Sequence, residues 1–347
     1  MDSVGAVVSA AGEALTAREL GSELSRRISP VVPHDGYLLV VLDPVTGAGC
    51  LVDRQNWVSA GLRHRLEIEE FRDGAPYLLE RLFTGPRQVQ VIGAEFFEDP
   101  RYEHLHDDLR NEGYGQHLRL ALRHRGVAVG WLGLSRERGS RLFSERDTVR
   151  AQRLAKPLTD ALRRFFSAKP LRPGRCPLPP GIVIVDRHHT VVDATPAGRA
   201  WLSASHDFAR PPGAQLPNDL LNITLIARRP GPRAVSRVPT PDGWLSLSAE
   251  PLGDRRTGNV AVTLQAASAG TLLPALCHWY GITAGERSVL EQALRGLPVK
   301  QIARRLGLSS YTVYDHFKSI YRKTGVAGRD ELMAGVSAQS DDTLWTG

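Results

Sequence analysis

The chain has 347 residues, 42% of them hydrophobic and 23% charged, with 33 glycines and 23 prolines. One domain takes roughly 100–200 residues, so two or three domains are expected, and the composition excludes both a collagen-like and a wholly disordered chain. The formal charge of +7 and the pI near 9.6 favour an anionic partner without separating nucleic acid from a membrane surface.

Cys50, Cys176 and Cys277 lie far apart with no C-x-x-C pair. That argues against a disulfide framework and a cysteine-rich zinc site, and it fits a reducing compartment. Met1-Asp2-Ser3-Val4 opens with an acid where a secretory signal carries basic residues. Thr257 to Gly285 has no Asp, Glu, Lys or Arg, yet Asn259, Gln265, Pro274 and His278 make it too polar for a spanning helix. A cytoplasmic protein with no membrane partner is expected.

In chain order, a helical stretch from about Ala14 to Ile28 precedes Gly36 to Val41, the turn Asp43-Pro44-Val45-Thr46-Gly47 and Gly49 to Val52, which is a hairpin pattern. Leu118, Leu120 and Leu122 then alternate with Arg119 and Arg123, a His124-Arg125-Gly126 turn follows, and Val127 to Leu134 is nearly all apolar, as in central antiparallel strands. Ser144-Glu145-Arg146-Asp147 has the form of a capping box, and Leu154, Leu158, Ala161, Leu162 and Phe165 recur behind it at helical spacing. Two readings of that stripe are open: a dimer contact, or the lid of the first domain's own core. Lys169 to Pro180 is rich in proline and reads as a stiff linker.

Beyond it, Gly181 to Asp186 and Thr190 to Asp193 read as short strands, Pro196 to Ser203 as a helix, and Trp244 to Ala249 and Asn259 to Gln265 as further strands. The Pro-rich run Arg210 to Pro232 is only weakly periodic. The order helix, hairpin, mixed segment, hairpin, long helix in residues 1–167 resembles a GAF domain, and residues 181–268 resemble a divergent PAS domain. The cyclic-nucleotide pattern of GAF domains is missing, so no ligand or cofactor is assigned.

Residues 283–334 carry start and stop signals for four short helices. Thr283-Ala284-Gly285-Glu286 is a capping box ahead of Val289, Leu290, Ala293, Leu294 and Leu297; a second helix is expected from Pro298, at its first position, to Leu306. Gly307 turns the chain, Ser309 caps a third helix with Val313, Phe317, Ile320 and Tyr321 inside, and Gly325 ends it. This is a helix-turn-helix, whose second helix fits the major groove. From Pro298 to Lys323 the cations Lys300, Arg304, Arg305, Lys318, Arg322 and Lys323 face one acid, Asp315, so charge gathers where phosphates would lie.

Ile282 to Leu290, Ile302 to Ser309, Thr312-Val313 with His316, and Lys323-Thr324-Gly325-Val326 resemble the LuxR-type C-terminal helix-turn-helix. The resemblance implies that Tyr314, Asp315 and Lys318 face base edges and that helix four, around Asp330-Glu331-Leu332, helps to dimerise. Tyr314 stands where the family usually has lysine, Asp315 puts an acid in the reading face, and Pro298-Val299 replace polar residues, so an unusual sequence preference follows.

The fold class expected is thus multidomain α+β: a GAF-like α/β sensor at 1–167, a linker at 168–180, a PAS-like α+β domain at 181–268, an all-α helix-turn-helix domain at 269–337 and a tail at 338–347. Base readers are Tyr311, Tyr314, Asp315, Lys318 and Ser319; phosphate contacts are Lys300, Arg304, Arg322 and Lys323. The expected partners are double-stranded DNA, a second copy of the chain, RNA polymerase and a small-molecule signal of unknown identity, in a nucleoid-associated regulator that is not an enzyme. The competing reading is a sensor or scaffold whose C-terminal bundle only binds protein. His104 and His106, two apart on a helix, do not face one ligand, so no metal site is read. Arg187 after Asp186 speaks against a phosphorylated receiver, and the lack of a Gly-Lys dipeptide excludes a P-loop. Tyr311 and Tyr314 are placed on separate faces and so form no stacking platform for single strands.

Overall fold

The computed structural model describes residues 17–71, 79–93, 98–167, 178–204, 216–231, 233–240 and 243–336. Helix α1 (Ala17–Ile28) leads to β1 (Gly36–Leu42) and β2 (Gly49–Gln55). Then come α2 (Ala60–Glu70), α3 (Leu79–Thr84), β3 (Val89–Ile92), α4 (Glu103–Asn111), β4 (Tyr114–His124), β5 (Val127–Glu137) and the long helix α5 (Glu145–Ser167). The strands make one antiparallel sheet in the order β2-β1-β5-β4-β3. The β4–β5 turn rests on Arg125 and Gly126 at φ 51° and 81°, the left-handed pair with which a two-residue turn follows strand twist. It sets Leu118 opposite Leu134 and Leu120 opposite Leu132, so the leucines of both strands share one buried face.

Helix α5 covers that face. Ser144 and Asp147 cap it reciprocally, the Ser144 amide donating to the Asp147 carboxylate at 3.0 Å and the Asp147 amide to the Ser144 hydroxyl at 3.3 Å. Leu158 and Leu162 are 1% and 0% exposed, and the helix packs on β3 and β4. Of the two readings of this stripe the structure supports the core: these leucines are already covered within their own chain and leave no surface for a second copy.

A second antiparallel sheet is built from β6 (Gly181–Val185), β7 (Val191–Ala194), β8 (Ala234–Thr240), β9 (Gly243–Leu252) and β10 (Asn259–Ala266), with helices α6 (Pro196–Ala204) and α7 (Asn218–Arg228). Its order, β7-β6-β10-β9-β8, repeats that of the first sheet. Helix α7 lies in the run that looked weakly periodic. Pro217 occupies its N-cap and Pro230 follows its C-cap Arg229, so the prolines punctuate a helix instead of interrupting one. Leu220, Leu221, Ile223, Leu225 and Ala227 bury its inner side in the core of this unit. Most of the linker expected at 168–180, and the tail at 338–347, lie outside the described residues.

The edge strands of the two sheets, β2 and β8, meet. The Ser236 hydroxyl donates to the Gly49 carbonyl at 2.7 Å, and the Arg237 guanidinium and amide donate to the buried Asp43 carboxylate at 2.6 Å and 3.2 Å. The contact shields strand edges that would otherwise template aggregation.

Five helices close the chain: α8 (Ala269–Trp279), α9 (Ala284–Leu294), α10 (Val299–Leu306), α11 (Ser310–Thr324) and α12 (Arg329–Val336). Helix α8 packs between α5 and α12. The Trp279 ring stacks on Phe166 at 4.2 Å and 22°, and Phe166 stacks in turn on Trp244 of the second sheet at 6.0 Å and 28°. Arg237 also donates from Nε to the Thr271 carbonyl in α8. One hydrophobic core therefore runs from the first sheet through α8 into the last helices, while the second sheet keeps its own. Among the described residues, no helix is long and apolar enough to cross a membrane.

Candidate nucleic-acid interface

Helix α9 begins on the expected box: the Thr283 amide donates to the Glu286 carboxylate at 2.7 Å and the Glu286 amide to the Thr283 hydroxyl at 3.3 Å. Helix α10 starts one residue later than read from sequence. Pro298 is its extended N-cap, φ −69° and ψ 157°, whose carbonyl accepts from the Gln301 and Ile302 amides. Gly307, at φ 65°, makes the turn in the left-handed region that a Cβ disfavours. Ser309 then caps α11, its hydroxyl accepting from the Thr312 amide at 3.0 Å. Ile302, Ala303, Val313, Phe317 and Ile320 are buried between α9, α10 and α11.

Burial of that stripe fixes what points outward. At about 100° per residue, Tyr311, Tyr314, Asp315, Lys318 and Arg322 fall within an arc of about 100° on α11, and all five are exposed. The two tyrosines are only about 60° apart on this count, so their placement on separate faces is corrected: they share the outer side. Asp315 and Lys318 form an ion pair across one turn at 3.8 Å. On α10, Lys300 and Arg304 are exposed beside this surface. They line an open groove of about 510 Å³ with Gln301, Tyr314 and Arg329.

Two of the expected site residues lie elsewhere. Lys323, read as a phosphate contact, turns inward: its ammonium donates to both carboxylate oxygens of Glu286, at 2.6 Å and 2.9 Å, and to the Gly281 carbonyl at 2.9 Å. Ser319, read as a base contact, sits one turn before it and hydrogen-bonds the same carboxylate. On the helical count both fall outside the outer arc, on the flank nearest α9. Burial alone would raise the Glu286 pKa. The bonds from Lys323, Ser319 and the Thr283 amide outweigh it and hold the carboxyl down at about 2.

The structure thus brings seven of the nine expected residues, Tyr311, Tyr314, Asp315, Lys318, Arg322, Lys300 and Arg304, to one exposed surface. The anchoring role of Glu286 was missed because the capping box accounted for it fully; the i,i+4 spacing of Ser319 and Lys323 was the available signal. Arg329 was missed as well. Its guanidinium donates to the Leu297 carbonyl at 2.6 Å, just beyond α9, and to the Ala293 carbonyl within α9 at 3.5 Å, and it lies 5.8 Å from the Phe317 ring centroid, bracing α12 against α9 and α11. Leu332, implied as part of a dimer helix, is fully buried within its own chain.

No curated protein matches the sequence. Among solved structures, the chain is similar to Escherichia coli SdiA, at 12% identity over 96% of this chain and 94% of that one, with a TM-score of 0.38. It is also similar to the GAF domain of a phosphoenolpyruvate-protein phosphotransferase from Coxiella burnetii, at 18% identity over 46% of this chain and 90% of that one, TM-score 0.32. A third similar structure is the LuxR family transcription factor CepR2 from Burkholderia cenocepacia, at 15% identity over 48% of this chain and 93% of that one, TM-score 0.34. Overlaps this slight decide neither fold nor ligand. The family model described as bacterial regulatory proteins, luxR family, matches residues 281–335, a span that takes in the capping box, the glycine turn and the whole of α11. On that match and this geometry, residues 281–335 form a DNA-binding regulator domain of the luxR family.

Proposed function

We propose that the chain is a transcription regulator that binds double-stranded DNA sequence-specifically, laying α11 in the major groove. Tyr311, Tyr314, Asp315 and Lys318 face base edges, while Lys300, Arg304 and Arg322 reach flanking phosphates. The observation that carries this reading is the exposed arc of α11 next to the exposed cations of α10, on a luxR-family domain. A homodimer completes the reading: two half-site readers multiply affinity through effective concentration with no new base contact. The two sheet units serve as the sensory part, and the core that the first sheet shares with α8 gives a signal a direct route to the DNA-binding helices.

The test is an anisotropy titration of the full chain against labelled genomic fragments with excess nonspecific competitor. Because Trp279 and its neighbours in α8 are buried against α5, the isolated C-terminal helices would expose apolar surface, so the intact protein is used. Saturable binding to a subset of fragments that survives competitor supports the reading; equal binding to all fragments, or none, rejects it in favour of a scaffold.

A further inference from the structure

Tyr311 and Tyr314 are 73% and 55% exposed, and among the described residues they are the only aromatic side chains that stand so far out. Two large rings exposed together on one side of a helix offer an apolar contact surface. Several observations say which surface they meet. Tyr314 lines the same groove as Lys300 and Arg304, so this ring sits beside cationic side chains. Asp315 lies on the same arc, and an acid at that place repels phosphate, which turns the centre of the arc toward base edges. Both rings also belong to the first half of α11, the part of a recognition helix that enters the groove.

Thymine differs from every other base in the major groove by an apolar group, its C5 methyl, whereas the remaining base-edge groups there are polar. The flat apolar body of a tyrosine ring suits that methyl and gains little from an amino or carbonyl edge. Resting on the regulator reading above, the geometry points to Tyr311 and Tyr314 as readers of thymine C5-methyl groups, so that the preferred half-site carries thymines opposite the first half of α11.

The experiment uses the full chain and the best duplex from a binding-site selection. Each thymine is replaced singly by uracil, which removes the methyl and leaves the hydrogen-bonding groups in place. Uncovering one methyl weakens binding about fourfold, and that loss is expected at the thymines facing the two rings and nowhere else. Tyr314→Phe keeps the discrimination; Tyr314→Ser makes thymine and uracil equivalent at its position while the salt dependence of binding stays the same. Equal affinity for thymine and uracil at every position overturns the inference, as does a Tyr314→Ser, Tyr311→Ser double variant that still discriminates. If the wild-type chain selects no duplex at all, the regulator reading itself fails and this inference falls with it. Both side chains are exposed, so the variants are expected to keep the wild-type circular dichroism spectrum and unfolding midpoint.

Discussion

The Lys323 ammonium lies 2.6 Å from one oxygen of the Glu286 carboxylate and 2.9 Å from the other, which ties the last turn of α11 to the first turn of α9. Glu286 is 5% exposed, so its charge depends on this partner and on Ser319 and the Thr283 amide. Lys323→Met leaves the carboxylate buried without its cation and should cost about 2–3 kcal/mol. Hydrogen exchange of α9 and α11 would report it as faster opening of those helices.

The same carboxylate predicts acid sensitivity. Its pKa in the folded chain, about 2, lies below its ordinary value of 4.5, so the stabilisation is complete above that value and is lost as pH falls from about 4.5 toward 2. Glu286→Gln should lower stability at neutral pH and remove this part of the acid limb. Exchange rates of the α11 amides at pH 6, 4.5 and 3.5 decide it: an unchanged pH dependence in Glu286→Gln would show that the link does not govern the acid response.

Salt dependence separates the cations that remain outside from the one that does not. Lys300→Ala, Arg304→Ala and Arg322→Ala should each flatten the slope of log affinity against log salt by up to about 0.9 per lost phosphate contact, whereas Lys323→Ala should leave it unchanged. A Lys323→Ala slope that falls as far as that of Arg304→Ala would return Lys323 to the phosphate set.

The features legible in the sequence were the local ones. Thr283 with Glu286, Gly307, Ser309 and Gly325 act within a few residues of themselves, so the helices of the C-terminal domain and most of its outward face, Ser319 and Lys323 excepted, could be read directly. The β4–β5 hairpin was legible for the same reason. Glu286 and Lys323 are 37 residues apart, and Asp43 and Arg237 are 194 apart; neither pair leaves a periodic trace. Helix α7 was obscured by composition, since prolines at its two ends look the same in a one-dimensional reading as prolines within it. The stripe on α5 was legible as apolar but not as to its occupant, because amphipathicity says that a face is covered and not by what.

Base preference tests the reading face itself. Lys318 can donate to guanine O6 and N7, and Asp315 can accept from cytosine N4, so Lys318→Ala and Asp315→Ala should each relax one position of a selected site by about 1–3 kcal/mol. Their mutual pair at 3.8 Å is exposed on both sides, so it contributes only about 0.2–0.5 kcal/mol to the helix. Selection with each variant checks this. Uniform weakening at all positions would mean that the two residues serve each other and not the bases.

The seam between the first sheet and the last helices makes a different demand. Leu158 and Trp279 are each 1% exposed on opposite sides of it. Trp279→Ala removes the ring stacked on Phe166 and should cost about 3–5 kcal/mol. Leu158→Glu places a carboxylate in the first core and should destabilise that unit severely instead of yielding a folded monomer. Sedimentation and thermal unfolding of Leu158→Glu distinguish the outcomes. A folded, stable variant of altered oligomeric state would restore the dimer reading of α5.

A second contact on this seam responds to pH. The His124 and His278 rings meet edge to face with centroids 5.4 Å apart, joining the β4–β5 hairpin to α8. Burial is the main cause that lowers both pKa values. At His278 the neighbouring His124 comes next; the nearby cations Arg163 and Arg125 add to the lowering at both rings, and Lys156 acts further on His124, while Asp160 opposes the shift at His124 and Asp43 at His278. His278 is held down at about 4, against an ordinary 6.5. At His278 the unfolded chain therefore binds a proton that the folded chain refuses over that interval, and stability falls as pH drops from about 6.5 to 4, by at most about 1.4 kcal/mol per pH unit. His278→Gln keeps a polar group of similar reach but cannot take up the proton, so its unfolding midpoint should vary less between pH 7 and 5 than that of the wild-type chain. If the two proteins lose stability in parallel over that interval, His278 is not a source of the acid response at this seam.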